Sequence, residues 1–377
     1  MNWKIPLFKT YSDKNDIITI SEIIKRGTYW ASGPEINEFE KKLANFVGTK
    51  YALAFNSGTS ALHTILLAYN IRGKEVIVPS FTFIATANAV ILAGGKPVFA
   101  ETEFDTFGLD AEDVKKRINK NTKAIIPLHY GGFPSRDIQK LRKIADKNNI
   151  FLIEDAAESL GANINDKKVG TFGDSSMFSF CQNKVITTGE GGLIVTNSEE
   201  VYEKSKIIRS HGRVELNEDY FSSSKDNDYI QVGYNFRMPT MCAALGLAQF
   251  NKIEKLIEKR RQKARYLDKE LSKIKQIKLL KKLDKHYQVY QMYSIKLENE
   301  KIRNDLQNYL IKKGIMNKIY FKPVHLKTYY KKLFNFKKGD LPNTEKLSKR
   351  VLTLPFYPDI SEKELKYIKD SINEFFS

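Results

Sequence analysis

Five short apolar runs, beginning about 20 to 27 residues apart, limit what this chain can fold into more than any other feature of it. They are Glu75-Val76-Ile77-Val78-Pro79, Lys96-Pro97-Val98-Phe99, Lys123-Ala124-Ile125-Ile126-Pro127, Ile150-Phe151-Leu152-Ile153-Glu154 and Ser176-Met177-Phe178-Ser179-Phe180, with Gly192-Leu193-Ile194-Val195-Thr196 following. That spacing leaves room for a crossover helix between parallel strands. Helix-like segments lie between them, notably Thr59 to Ala68 and Ser135 to Lys147. The prediction is an α/β fold with a mainly parallel sheet. Ligands gather at the carboxyl ends of such strands, so Asp155, Glu158 and His129, each close behind an apolar run, are expected on one rim. From Thr240 to about Ser272 the spacing of Met241, Leu245, Ala248, Ile253 and Leu256 predicts one long lysine-rich helix. It is expected to lead from a large domain, 1–250, into a smaller carboxy-terminal α/β domain, 251–377, a division that 377 residues readily support.

Charge and cysteine usage narrow the partners. Sixty-two Lys and Arg against 44 Asp and Glu give a net charge of +18, which raises nucleic acid, anionic membranes and anionic small molecules as partners. The lysines are dispersed through stretches such as Lys252 to Lys282, and no recognition-helix, zinc or RNA-binding motif accompanies them. A solvated basic surface that favours an anionic substrate is therefore the stronger reading, and a basic nucleic-acid-binding regulator the weaker. Two cysteines, Cys181 and Cys242, exclude a disulfide framework and are too few for a structural zinc site. No apolar run approaches the roughly 20 residues of a membrane span, and the amino terminus lacks the apolar core of a signal peptide. The expected address is the cytoplasm, with no membrane partner and no metal.

Several segments carry residues suited to chemistry. Asn56-Ser57-Gly58-Thr59-Ser60-Ala61-Leu62-His63 has the pattern of a tight turn feeding a helix, whose first N–H groups suit a phosphate. An ordinary Ser or Thr N-cap has the same pattern. Pro79-Ser80-Phe81-Thr82-Phe83 ends a strand with aromatics, of which one is placed to stack on a flat ring unless both are core. His129 is either a core histidine or a site residue. Asp155 is expensive to bury without a cationic or hydrogen-bonding partner, and a protonated pyridine N–H is such a partner. Lys184 lies 29 positions on, in Ser179-Phe180-Cys181-Gln182-Asn183-Lys184-Val185-Ile186-Thr187-Thr188-Gly189-Glu190-Gly191-Gly192. The glycines there let backbone approach a ligand, or simply turn the chain between two strands. A lysine that holds an aldehyde as a Schiff base and an aspartate that keeps a pyridine nitrogen protonated are what pyridoxal 5′-phosphate (PLP) requires.

These segments resemble the PLP-dependent nucleotide-sugar aminotransferases, which have the aspartate aminotransferase fold, fold type I. The resemblance runs from Ile5-Pro6-Leu7-Phe8 and Ala31-Ser32-Gly33-Pro34 through Glu154-Asp155-Ala156-Ala157, Gly170-Thr171-Phe172-Gly173-Asp174 and Gly233-Tyr234-Asn235-Phe236-Arg237-Met238 to Leu354-Pro355-Phe356-Tyr357-Pro358. It implies that Lys184 anchors the cofactor, that Asp155 meets its ring nitrogen and that Phe83 stacks on its ring. It further implies that Thr59, the Ser60 backbone and Ser179 hold the phosphate, with Ser57 and Gly58 also cofactor-binding, and that Asn235 reaches the phosphate of a neighbouring subunit in a homodimer. Glu158 stands where the family often has Gln or His, near the ring. Tyr29, Trp30, Arg237 and His325 are candidates for the sugar-nucleotide pocket, each equally readable as structural.

The implied reaction is transamination from glutamate to a nucleotide-linked 4-keto sugar, with pyridoxamine 5′-phosphate as the cofactor form between its two halves. The residues from Asn183 to Gly192 resemble members that aminate C4, above all the GDP-perosamine synthases of surface polysaccharide and O-antigen synthesis. UDP- or dTDP-linked 4-keto sugars, and amination at C3, are the alternatives. Lys184 argues against a sugar dehydratase of the same fold, in which that lysine is replaced.

Overall fold

The computed structural model describes residues 3–214 and 227–377. Its centre is a seven-stranded sheet of β1 (Tyr51–Phe55), β2 (Glu75–Pro79), β3 (Lys96–Ala100), β4 (Thr122–Ile125), β5 (Phe151–Asp155), β6 (Ser175–Ser179) and β7 (Gly192–Thr196), in the order β1-β7-β6-β5-β4-β2-β3. β2 to β6 pair in parallel, and β7 runs antiparallel to both β1 and β6. The parallel strands are continuous apolar runs because both faces are covered. Val76 and Val78 enter one core cluster while Ile77 between them enters another on the opposite face. β1 escaped the sequence reading because its inward residues Ala52 and Ala54 are small, fitting closely beneath a helix without the β-branched signature of a strand.

Helices α1 (Lys14–Arg26), α2 (Pro34–Val47), α3 (Gly58–Ala68), α4 (Ile84–Leu92), α5 (Ala111–Arg117), α6 (Ile138–Asn148) and α7 (Glu199–Arg209) flank the sheet or its edges. The long helix expected from Thr240 to about Ser272 is instead two, α8 (Thr240–Phe250) and α9 (Ile253–Leu271). The break has a local cause. Gln249 donates to Tyr11 O and Asp16 Oδ2, and Lys252 Nζ donates to both oxygens of Asp16 and pairs with Asp13 at 2.7 Å, so the join is tied down onto the start of α1. Ile253, Leu256 and Ile257 of α9 then pack with the large sheet, while Ala264, Leu267 and Leu271 pack in a second core.

That second core surrounds a three-stranded antiparallel sheet of β8 (Lys278–Leu279), β9 (Tyr293–Lys296) and β10 (Val351–Leu354), with α10 (Glu300–Lys312) and α13 (Glu362–Phe376), while α11 (Thr328–Phe334) packs through Tyr330 on the large sheet's core and α12 (Pro342–Arg350) sends Leu347 into a cluster with Phe81 and Phe321. The amino-terminal strand of chain joins it, with Ile5 bridging to Ile315 and buried in the same core. No helix among the described residues is long and apolar enough to cross a membrane.

Candidate active site

The carboxyl ends of β1, β2, β5 and β6 share one rim, because β7 alone is reversed. At that rim lies a cavity of about 400 Å³. Ser57, Gly58, Thr59, Phe83, Asp155, Glu158, Ser179 and Lys184 all line it. Residues from four strand ends thus meet where the topology places a ligand.

One end of the cavity suits an anion. α3 begins there, with Ser57 as its N-cap accepting from Ser60 N–H at 3.1 Å. Gly58 and Thr59 at the helix start, with Ser179 opposite, put a positive dipole end and two hydroxyls around that space. The approach is close enough to demand glycine: a Cβ on Gly58 would sit 3.0 Å from Met177 Sδ, and one on Gly192 would sit 2.3 Å from Ser57 O. Ser60 is not at the cavity. Its hydroxyl donates to Asn56 Oδ1 at 2.5 Å, so it fixes the turn from behind.

The other end is acidic. Asp155 is 3% exposed, and its oxygens accept from Thr86 Oγ1 at 2.7 Å and from Ala157 N–H at 3.2 Å. Because Thr86 spends its hydrogen on Asp155, the 2.8 Å contact between Thr82 Oγ1 and Thr86 Oγ1 has Thr82 as donor. Burial pushes the Asp155 carboxyl above its ordinary range, and the Thr86 and Ala157 donors oppose it. Two neutral donors leave the ionised form short of compensation, which is what a protonated ring N–H supplies. Lys184 Nζ lies 3.6 Å from Glu158 Oε1, with Glu158 Oε2 held by Gly131 N–H at 2.7 Å. An anion-binding helix start, an amine and a buried carboxylate in need of a cation, all lining one cavity, fit a phosphorylated pyridine aldehyde.

The neighbours of these residues explain two motifs. Glu154, wholly buried beside Asp155, accepts from the N–H groups of Gly170, Phe172 and Gly173 and from His129 Nε2. Gly170-Thr171-Phe172-Gly173 is thus a carboxylate cradle that locks the end of β5. His129 Nδ1 accepts from Ser135 N–H, so its hydrogen is on Nε2 and it is a core histidine, satisfied on both sides. Phe81 is core and Phe83 is 61% exposed at the cavity, which divides the two aromatics between the two readings.

Five other candidates stand away from the cavity. His325 is buried at the junction of the two cores, with Nδ1 at 2.7 Å from Ser80 Oγ and Nε2 at 3.3 Å from Glu345 Oε1; both nitrogens are spent on structure. Arg237 donates to Ser210 Oγ at 3.2 Å. Tyr29 and Trp30 are about half exposed, and Trp30 Nε1 donates to Ile23 O. Asn235 is exposed outside its own chain's cavity, with its carbonyl taken by Asn56 Nδ2. The sequence reading missed Thr86, although its spacing of four from Thr82 was visible, and missed Lys318, Tyr320 and Phe321, which line the cavity from the carboxy-terminal part. No group of three or more His, Cys, Asp or Glu among the described residues is placed to hold a metal ion.

Residues 10–373 match the DegT/DnrJ/EryC1/StrS aminotransferase family. A GDP-perosamine synthase of Vibrio cholerae is 36% identical over 375 residues, 99% of each chain. A UDP-4-amino-4,6-dideoxy-N-acetyl-beta-L-altrosamine transaminase of Campylobacter jejuni is 34% identical over 372 residues, 96% of each. The solved structure of Helicobacter pylori PseC, an aminotransferase involved in the biosynthesis of pseudoaminic acid, matches with a TM-score of 0.91 at 31% identity over 99% of both chains. The chain belongs to the DegT/DnrJ/EryC1/StrS aminotransferase family, and it is a PLP-dependent sugar aminotransferase of fold type I.

Proposed function

We propose that this enzyme moves an amino group from glutamate to C4 of a GDP-linked 4-keto-6-deoxy sugar, giving a 4-amino-4,6-dideoxy sugar nucleotide for surface polysaccharide synthesis. The observation that carries the amino-transfer reading is the cavity itself, where Lys184 and Asp155 meet at the rim of the sheet. The full-length likeness to a GDP-perosamine synthase supports the sugar and the nucleotide. The comparable likeness to a UDP-sugar transaminase makes the UDP-linked 4-keto sugar the second reading.

When bound, PLP supplies an aldehyde that accepts amines and a ring that takes up the electron pair left when a C–H bond is broken. Asp155 Oδ holds the ring N–H proton and so keeps that ring electron-poor. Lys184 Nζ would anchor the aldehyde and, as a free amine, would serve as the group that takes up and returns a proton at the cavity. Thr59, Ser179 and the start of α3 would hold the phosphate, and Phe83, exposed at the cavity, would stack on the ring. Asn235, exposed beyond its own cavity, is available to a second copy of the chain in a homodimer.

The test is a panel of GDP-, UDP- and dTDP-linked 4-keto sugars incubated with glutamate, with the aminated product detected by mass and its C3 or C4 position by NMR. C4 amination of the GDP sugar in preference to the others is expected. A preference for the UDP sugar transfers the assignment to the second reading, and a C3 product removes the regiochemistry. Lys184→Ala should abolish both turnover and the absorbance band of the covalently bound cofactor.

A further inference from the structure

Glu158 has a geometry that its place beside the cofactor does not require. It is 6% exposed and two atoms compete for its carboxylate. Oε2 accepts from Gly131 N–H at 2.7 Å. That donor is fixed by backbone, since the turn at Gly131 and Gly132 has φ values of +62° and +94°, and a Cβ on Gly132 would sit 2.7 Å from the backbone nitrogens of Tyr290 and Gln291. Oε1 is left facing Lys184 Nζ at 3.6 Å. A swing of the flexible lysine by about 0.7 Å brings the two into hydrogen-bond contact.

A lysine reacts with an aldehyde only as the free amine, so its extra proton must go somewhere. The other acidic groups at the cavity are engaged or set apart. Asp155 accepts from Thr86 and Ala157, and Glu190 Oε1 accepts from Cys181 Sγ at 3.3 Å. The titratable groups around Glu158 and Lys184 are Asp155 on the same turn, Tyr130 beside Gly131, Tyr320, Cys181 and, on the same cavity wall, Glu190 and Lys318. Burial pushes both tyrosines and the cysteine upward, so at neutral pH these three hold their protons.

We propose that Glu158 and Lys184 share a single proton, with Glu158 Oε1 as the acceptor that makes the free amine available. In the exchange the Nζ–H bond breaks and the Oε1–H bond forms; the electron pair stays on Nζ, and the net charge of the two groups is unchanged. Burial raises the Glu158 carboxyl above its ordinary range, the negative charge of Asp155 pushes the same way, and Lys184 with Gly131 N–H opposes. An ammonium and a carboxylate become an amine and a carboxylic acid, and burial favours that neutral form.

This rests on the assignment of Lys184 as the anchoring amine. The consequence is a shape in a pH profile. Full-length protein stripped of cofactor is mixed with PLP, and the rate of appearance of the bound-cofactor absorbance is followed from about pH 6 to 9, a range that lies inside the roughly six-unit gap between ordinary carboxylate and lysine values. If the proton is shared, the proportion of free amine does not change while the two groups hold one proton, and the wild-type rate stays flat after correction for titration of free PLP. Glu158→Gln keeps the acceptor for Gly131 N–H but takes no proton, so its loading rate should fall about tenfold for each pH unit by which the medium is acidified.

A simple ion pair predicts the reverse, because the carboxylate then only holds the ammonium form in place: wild type slopes with pH, and Glu158→Gln is flatter or loads faster at the same pH. Either that pattern or identical profiles in the two proteins overturns the proposal. A sloping wild-type profile overturns it alone, should the variant fail to fold. Lys184→Ala is the separate control. If that variant forms the same band, the anchoring assignment fails; if it does not, the profiles speak to Glu158 alone.

Discussion

At the scale of single residues, the site is a problem in compensating buried charge. Asp155 is buried with two neutral donors, and the stronger contact, 2.7 Å from Thr86 Oγ1, helps to keep it ionised. Thr86→Val should therefore act through pH. Removing a donor to the charged form lets Asp155 rise further, so the carboxylate is lost at a higher pH as the medium is acidified. The acid limb of kcat/KM should move up by about one pH unit, since a hydrogen bond to a charged group contributes roughly 1.5–3 kcal/mol. The basic limb should stay in place. Asp155→Asn cannot hold the ring proton at all; it should bind PLP yet lose most turnover, and near wild-type rates in that variant would remove the assigned role. Asp155, Lys184 and Thr59 were legible in the sequence because each follows or begins an element whose period announces it. Thr86 was not, because its value lies in a carboxylate 69 positions away.

At the scale of elements, the segment from Gln288 to Met292 braces the site without lining it. Val289 N–H donates to Gly132 O at 3.0 Å, which sets the turn that carries Gly131 N–H. Gln291 Nε2 donates to Asn183 O at 2.9 Å, on the peptide that carries Lys184. Arg260 of α9 in turn donates to the carbonyls of Tyr290 and Gln291 at 3.3 and 3.1 Å. One stretch of chain therefore positions both the amine and the carboxylate turn. Gln291→Ala should lower kcat by about ten- to a hundredfold, the scale of a reacting group misplaced by about 1 Å, with little change in KM for either substrate. Single-turnover absorbance kinetics on the bound cofactor check it. A lower melting temperature with unchanged kcat would reduce Gln291 to a structural contact. The element pattern gave no warning of this brace, since Gln291 belongs to neither a regular strand nor a helix. The same reason hid the break between α8 and α9: helical spacing continues through Asn251 and Lys252, and only the acidic start of α1 shows why the chain bends there.

At the scale of the whole molecule, the two cores meet at the cavity, and their junction combines a buried aromatic cluster of Phe81, Tyr130 and Phe321 with a set of long-range polar contacts. Ser80 at the end of β2 contacts His325, Tyr330 OH donates to Asn88 Oδ1 at 2.7 Å, and Glu101 beyond β3 caps the start of α12. The sequence made the large sheet legible through the spacing of its strands, but a junction built from residues more than 200 positions apart leaves no period to detect. His325 shows the cost of that blindness, since a lone histidine near Lys322 reads equally as a pocket residue or a structural one until its partners are known. Glu101 offers the test. Its carboxylate accepts from Asn343 N–H at 3.0 Å, Thr344 N–H at 2.9 Å and Thr344 Oγ1 at 2.6 Å, three donors at a helix end that has no side-chain cap of its own. Glu101→Ala strips all three and should lower stability by about 2 kcal/mol, read as a lower urea midpoint. The carboxy-terminal part also supplies Lys318, Tyr320 and Phe321 to the cavity wall, so a looser junction should raise KM for the nucleotide sugar severalfold. The cofactor band should be untouched, because the residues assigned to PLP come from the large sheet's rim. Lost stability with an unchanged KM would mean that the junction holds the two cores together without shaping the pocket, and no change in either would mean that the cap is idle.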